Sequence, residues 1–417
     1  MEGKRIIFHV DVNSAYLSWE ATWRLQHGEA IDLREVPCVV GGDEASRHGI
    51  VLAKSLSAKK YKIKTGESLF EARKKCPNLK VVPPCYEIYM QCSNAMLEIL
   101  GQYSPCVQRI SVDECFLDYT NMECHFGDPV EAAYEIKDRI CRELGFTVNV
   151  GISNNKLLAK MAGELEKPDK VLTLFPEEIP IKMWPMDIEE LYMVGSRIAP
   201  KLRARGIRTI GDLANFNPKL IHYYLKSHGT LVWNYANGIE ASPVTKNTTI
   251  PVKGISNSTT IAFDVYDRKT AHMILLSLVE TASMRLRASN FSARLISVSI
   301  RTSELLRYSH QRKRDAPTDY TNEIFHDVCQ LFDEAWKGQP IRHLGVRLSE
   351  LCGNDFYQMS IFDNSNCEKK RELDKTIDNI RLRYGAKSVI RAGFVNSGVS
   401  PLTGGIIDEY PVMTSLL

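Results

Sequence analysis

Ser111-Val-Asp113-Glu114-Cys-Phe-Leu-Asp118 lies within an extended run over residues 107–119, and the fold assignment turns on it. Adjacent strand residues point to opposite faces. Asp113 and Glu114 can therefore work together only if a turn or bulge interrupts the strand, and Ser111 makes such a turn plausible. A further acid, Asp11, ends a short buried strand over residues 6–10. Three carboxylates near one point repel each other unless a counter-cation is present. Two divalent metals about 3.5–4 Å apart would supply it, activating a hydroxyl and stabilising a pyrophosphate leaving group. Hard oxygen ligands suit Mg²⁺. On their own, these acids fit solvated turns as readily as a metal site.

Outward from these acids, strands and helices mix irregularly as far as about residue 175. Asn13-Ser14 offers N-cap chemistry for a helix running through Trp23. Strands are expected at 36–40, 49–53 and, with alternating pattern, 147–152; helices at 67–75, 86–103, 130–144 and 155–165. This is α+β rather than a regular βαβ series. Residues 176–238 read as short helical segments, and 241–252 have linker composition. A second α+β unit follows, with helices at 268–289 and 319–336 and strands at 257–264, 294–303, 305–310 and 341–351. A polar tail after Gly353 carries one amphipathic helix near 367–384. Its stripe of Leu373, Ile377, Ile380 and Tyr384 is expected to dock on the body. There is no internal repeat.

The bulk numbers fit this picture. At 417 residues, two to four domains are expected. The 44% hydrophobic and 25% charged content is that of an ordinary globular protein. A net charge of +3 is too small to demand a nucleic-acid partner. Eleven cysteines, an odd number with no Cys-x-x-Cys pair, suit reduced thiols rather than disulfides or zinc. No stretch approaches the ~20 apolar residues of a membrane span. The N-terminal apolar run is too short for a signal peptide. A cytoplasmic protein without membrane contact is expected.

Three segments carry a family resemblance. Phe8-His-Val-Asp11-Val-Asn-Ser-Ala-Tyr16, the Ser111–Asp118 segment, and Val150-Gly-Ile-Ser-Asn-Asn-Lys-Leu-Leu-Ala-Lys160 followed by Glu166-Lys167-Pro168 resemble motifs of the Y-family DNA polymerases. They occur in family order, and the resemblance spans about residues 4–352. It implies a multidomain α+β fold of the right-hand polymerase type. The palm would be 1–14 and 81–175, the fingers 15–80, and the thumb 176–240. The little finger would be 253–352, joined by the 241–252 linker and followed by a 353–417 tail. The resemblance also implies that Asp11, Asp113 and Glu114 hold two Mg²⁺ ions, with Mn²⁺ able to substitute. The backbone oxygen of Val12 would complete a metal shell. Asn13, Ser14 and Ala15 would offer a helix N-terminus to phosphate. Tyr16 matches the steric gate against ribonucleotides. It also shares a helical face with Trp19 and Trp23, which suits a core aromatic. Lys167 matches a triphosphate contact, although a lysine there equally suits the helix dipole. The family's Tyr-x-x-Arg pair is replaced by Leu56 and Lys59. Lys59 keeps the charge but not the bidentate geometry, so weaker nucleotide binding is expected.

Tyr192-Met-Val-Gly195-Ser-Arg197 and the residues after it resemble a helix–hairpin–helix, whose turn amides bind DNA phosphate. Arg197 stands where a second glycine is usual, and a plain helical hairpin is the alternative. Residues 285–314 carry eight cations (Arg294 and Arg301 among them) against Glu304, a charge suited to duplex phosphates or simply to a solvated face. Gln358-Met-Ser-Ile361-Phe362 resembles the bacterial sliding-clamp-binding peptide; a packed tail strand is the alternative. The expected activity is template-directed, low-fidelity addition of dNTPs to a primer 3′-hydroxyl, in translesion synthesis. The expected partners are primer–template DNA, dNTP and the clamp, with the chain a monomer. Because Asp11 lies near the start, no proofreading domain is expected. A nucleotidyl cyclase could share the carboxylates but would not need the hairpin, the basic domain or the clamp peptide. A catalytically weak, DNA- and clamp-binding accessory relative is the other alternative.

Overall fold

Strand Ile7–Val12 is buried at every position because it runs through the middle of a five-stranded sheet. The order is Val107–Arg109, Glu114–Asp118, Ile7–Val12, Val148–Ser153, Val171–Thr173. The central strand pairs antiparallel with both neighbours. In this computed structural model the described residues are 5–45, 47–246, 252–353, 367–395 and 397–402. They fall into two compact units, 5–42 with 50–246, and 43–49 with 252–402.

In the first unit, Phe8, Val10 and Val12 face a core shared with helices Ala15–Gln26, Tyr86–Tyr103 and Pro129–Leu144. Ile7 and Phe116 face the other way, toward Ala159 on helix Lys156–Leu165. Both faces of the sheet are covered, so strand Val148–Ser153 is buried throughout rather than alternating as expected. Helix Lys156–Leu165 crosses this strand at backbone contact. A Cβ on Gly151 would lie 2.0 Å from Ala159 O and 2.4 Å from Gly163 N.

The helix after the central strand begins at Ala15, but not through the expected cap. Ser14 has φ 51° and ψ 46° and makes no capping bond with its side chain. Ser18 Oγ instead donates back to Asn13 O at 2.6 Å. Trp19 is fully buried, as expected for core, whereas Trp23 is 38% exposed and stacks on His27 at 4.0 Å. Burial along this helix ends at Thr22, immediately before Trp23.

A three-stranded sheet, ordered Val51–Lys54, Cys38–Gly41, Lys80–Val82, has its own small core around Val39, Val51 and Leu69. Residues 176–240 form short helical pieces that end in helix Pro218–Ala236.

The second unit is a four-stranded antiparallel sheet ordered Arg307–Thr318, Phe291–Thr302, Ile341–Gly353, Gly254–Val265. Helices Arg268–Ala288 and Thr321–Ala335 cover one face. Strand Arg307–Thr318 runs well past the expected residue 310. The tail helix Cys367–Tyr384 does dock, as expected, but the expected apolar stripe is not its innermost line. Asp374, Asp378 and Arg381 are buried and Ile377 and Ile380 half-buried, while Leu373 is 57% and Tyr384 66% exposed. The cause is a set of ion pairs. Arg287 bonds Asp378 at 2.6 Å and Asp374 at 3.3 Å, Arg371 bonds Asp319 at 2.7 Å, and Arg381 bonds Glu280 at 3.2 Å. Among the described residues no helix is long and apolar enough to cross a membrane.

Candidate active site

The expected interruption between the two extended runs is present. Strand Val107–Arg109 stops, a turn follows, and strand Glu114–Asp118 begins. Ser111 Oγ bonds the Asp113 carboxylate and accepts the Glu114 N–H at 3.1 Å. Ile110 N–H donates to Glu114 O at 2.9 Å, which closes the turn. Asp11 is the register partner of Glu114 across the antiparallel pair. The next residue, Val12, donates its N–H to Asp113 O at 3.0 Å. Residues 11, 113 and 114 thus meet at one end of the central strand pair.

Two lysines neutralise the buried acids. Lys167 Nζ lies 2.5 Å from Asp11 Oδ2 and 2.7 Å from Glu164. Lys160 Nζ lies 2.5 Å from Glu114 Oε2. His9, fully buried two residues before Asp11, places Nε2 3.4 Å from the same Glu114 oxygen, while its Nδ1 has no partner among the described residues. Burial pushes the Asp11 carboxyl up, against the pull of Lys167 and His9. Burial also opposes ionisation of Glu114, but the bond to His9 and the charges of His9 and Lys160 outweigh it and hold that carboxyl down at about 2. The donor set is carboxylate and carbonyl oxygen, which fits a hard divalent cation. Among the described residues no three or more His, Cys, Asp or Glu side chains are gathered as a metal cluster. Asp11 and Glu114 each face a lysine instead, so cationic charge already sits against both. Sequence reading gave no role to His9 or Lys160, although both lie inside the quoted motifs.

Around this centre, Asn13 is tied into the fold. Its amide donates to Asn149 at 3.1 Å, and its carbonyl oxygen accepts from Thr147 Oγ1 and the Asp169 N–H. Asn149 in turn donates to Gly163 O and Glu166 O at the end of helix Lys156–Leu165. Ser14 is exposed and Ala15 buried at the start of the following helix. Tyr16 stacks on Tyr89 at 4.4 Å and meets Tyr86 edge-on at 6.1 Å, so its ring is held in place. Leu56 and Lys59 bound a four-residue helix capped by Ser55, and both are exposed.

The residues singled out for DNA contact separate. Gly195 and Arg197 are exposed in a turn between a three-residue 3-10 segment, Ile188–Glu190, and a five-residue helix, Ala199–Arg203. The flanking helices are thus shorter than the motif suggests. Met193, not Arg197, takes the left-handed conformation, at φ 71°. The arginine in place of glycine therefore costs the turn nothing.

The basic run at 285–314 is partly neutralised by acids remote in sequence. Arg287 is buried against the tail helix, Arg312 pairs with Glu334, Lys313 with Glu350, and Arg314 with Glu323 and Asp327. Arg294 donates to Asp315 O at 2.6 Å. Arg301 lies on the sheet face away from the helices. There the rows Arg307–Arg301–His343–Thr260, Ser309–Ser299–Gly345–Ser258 and Gln311–Ser297–Arg347–Ser256 run across all four strands. This face, a shallow concavity of about 560 Å³, carries hydroxyls and cations where a second apolar layer would otherwise sit. Alternation along the predicted strands held the signal for it. Gln358, Ile361 and Phe362 lie outside the described residues.

Comparison with known proteins agrees with this architecture. The family model of the impB/mucB/samB family matches residues 10–164, and that of its C-terminal domain matches 252–361. DNA polymerase IV of Clostridium acetobutylicum is 49% identical over 388 residues, covering 93% of this chain and 98% of the relative. DNA polymerase IV of Acetivibrio thermocellus is 38% identical, covering 93% and 97%. A solved Y-family DNA polymerase chimera superposes with a TM-score of 0.71 at 23% identity, covering 84% of this chain and all of that one. The fold is that of a Y-family polymerase, and the chain belongs to the impB/mucB/samB family, the group that includes the bacterial DNA polymerase IV proteins.

Proposed function

We propose that this chain extends a DNA primer at the junction of Asp11, Asp113 and Glu114, as a DNA-directed DNA polymerase of the translesion class. The observation that carries the reading is the register pairing of Asp11 with Glu114 beside an Asp113 held by the Ser111 turn. These three carboxylates and the Val12 carbonyl would hold the divalent ions. Two Mg²⁺, or Mn²⁺ in their place, supply charge neutralisation for a triphosphate and acidify an attacking hydroxyl. Lys167, beside Asp11, can turn to a triphosphate oxygen. The start of helix Ala15–Gln26 offers N–H groups to the same phosphates. Tyr16, fixed by Tyr89, would bar a 2′-hydroxyl. Lys59 supplies one further cation, and Leu56 none.

In this reading the five-stranded sheet is the palm, the three-stranded sheet the fingers, and the pieces from 176 to 240 the thumb. The second unit is the little finger. Its open face suits the phosphates of primer–template DNA, as does the Gly195–Arg197 turn, without reading bases. The segment holding Gln358, Ile361 and Phe362 serves as a sliding-clamp peptide. The protein acts in the cytoplasm as a monomer.

Primer extension on undamaged and abasic templates, with Mg²⁺ and each dNTP, tests the reading. Short, distributive extension that is lost in Asp113→Ala/Glu114→Ala is expected. No extension by the intact chain, even with a clamp added, would favour the accessory relative.

A further inference from the structure

We infer that Lys160 is an internal counter-cation that competes with divalent metal for Glu114 and thereby sets how tightly the site loads. The inference rests on the reading of Glu114 as a metal ligand. Lys160 Nζ sits 2.5 Å from Glu114 Oε2, with only 13% of the lysine side chain and 23% of the glutamate exposed. The ammonium takes one lone-pair site of that oxygen, and its positive charge opposes a second cation on the same carboxylate. The lysine has somewhere to go. Its ammonium already lies 5.4 Å above the ring of Tyr192, a half-buried residue from the helical pieces after 176. A ring face stabilises a cation partly removed from water. The two partners flank the ammonium, so it can leave the carboxylate without facing bare apolar surface.

The arrangement answers a problem raised by the carboxylates. Asp11 and Glu114 are register partners, and Asp113 is next in the turn; unneutralised, carboxylates so placed repel. Lys167 is expected to meet the triphosphate, so its pairing with Asp11 belongs to nucleotide binding. Lys160 has no such role. It lies on helix Lys156–Leu165, whose approach is fixed by backbone contact at Gly151, and it sets a cation directly against Glu114. Lys160 is thus a positioning residue for Glu114.

The test is Mn²⁺ binding to the full chain, without DNA or nucleotide, read by electron paramagnetic resonance and by melting temperature with and without metal. Lys160→Met removes the charge and keeps the side-chain length. It should tighten Mn²⁺ about tenfold, the lower end of what one close charge does to a carboxylate's affinity for a proton. It should also lower the melting temperature of the metal-free protein and enlarge the rise that Mn²⁺ produces. Lys160→Arg should stay near the parent. A purely structural lysine would lower the melting temperature equally with and without Mn²⁺ and leave affinity unchanged. Unchanged or weaker Mn²⁺ binding in Lys160→Met, with the parent and Lys160→Arg binding normally, overturns the inference. If circular dichroism shows Lys160→Met unfolded, Lys160→Gln is held to the same outcomes. A parent that binds no Mn²⁺ beyond the level of Asp113→Ala/Glu114→Ala sinks the metal reading itself, a result distinct from the failure of the lysine's role.

Discussion

Replacing Arg287 with Met should destabilise the second unit more than most single changes in the chain. Its side chain is 7% exposed and bridges helix Arg268–Ala288 to the tail helix. Nε and Nη2 bond both Asp378 oxygens at 2.6 and 3.0 Å. Nη1 bonds Asp319 O at 2.8 Å, Thr321 Oγ1 at 3.0 Å and Asp374 Oδ2 at 3.3 Å. Methionine fills much of the volume but leaves Asp374 and Asp378 charged, buried and facing each other. Breaking a buried pair from one side costs about 3–5 kcal/mol. For a unit of this size, each kcal/mol moves the melting point by roughly 2–4 °C. The expected loss is therefore about 6–20 °C in the calorimetric transition of the second unit. One process limits the cost. If the tail helix undocks, both carboxylates regain water, and the loss stops at the docking energy of the tail. Trypsin would then cut early at Arg371 or Lys375. Adding Asp374→Leu and Asp378→Leu to Arg287→Met should recover much of the loss, because no charge is left uncompensated. A melting point within about 2 °C of the parent, with the tail equally resistant to trypsin, would refute the claim that these ion pairs dock the helix.

Three further outcomes are expected. Gly151→Ala should cost several kcal/mol, since its Cβ would strike backbone at 2.0 Å, whereas Gly101→Ala, with nothing within 4 Å, should gain roughly 0.5–1 kcal/mol; urea unfolding compares them. Leu56→Tyr with Lys59→Arg restores a hydrogen-bond donor and a guanidinium fork, and should lower the KM for dNTP about tenfold, as charge-assisted bonds of ~1.5–3 kcal/mol allow; an unchanged KM in steady-state extension would remove these positions from nucleotide binding. Burial raises the Cys38 and Cys92 thiols to about 11, so at pH 8 only about one part in a thousand is thiolate. Peptide mapping after brief alkylation should find the exposed Cys124 and Cys141 modified first, with Cys38 and Cys92 gaining reactivity only as pH climbs toward 11.

The turn that gathers the acids was legible because its cause is local. Ser111 lies two and three residues from the groups it bonds, and an Asp-Glu pair inside an extended run needs such a break. Helix Tyr86–Tyr103 was legible for a related reason, a sustained apolar period ending at Ser104-Pro105. Periodicity misled where burial ended before the helix did. Tyr16, Trp19 and Trp23 share a face, yet only the first two meet Tyr89, and burial ends at Thr22, just before Trp23. The cap expected at Asn13-Ser14 is not made: Ser14 is left-handed, and the Asn13 side chain bonds Asn149, Thr147 and Asp169, partners more than a hundred residues away.

Charge was the least legible property, because its meaning depends on what lies opposite. Eight cations between 285 and 314 look alike in sequence. In the fold, Arg312, Lys313 and Arg314 meet Glu334, Glu350 and Glu323, and Arg287 becomes the centre of a buried junction. The tail helix shows the same dependence. Its apolar residues Leu373, Ile377, Ile380 and Tyr384 suggest a docking stripe, but Arg287 and Glu280 of helix Arg268–Ala288 bind its aspartates and Arg381. Arg301 and Arg307 differ from the neutralised cations in one respect. They share a cross-strand row with His343, whose pKa is lowered by burial and by those same arginines, and no carboxylate enters the row. Two arginines aligned across a sheet repel, and the repulsion persists unless an anion is bound. Among the described residues these two arginines have no carboxylate partner, and positive charge so placed is what a phosphate backbone can use, so in the proposed reading the open face suits DNA better than the neutralised part of the basic run does.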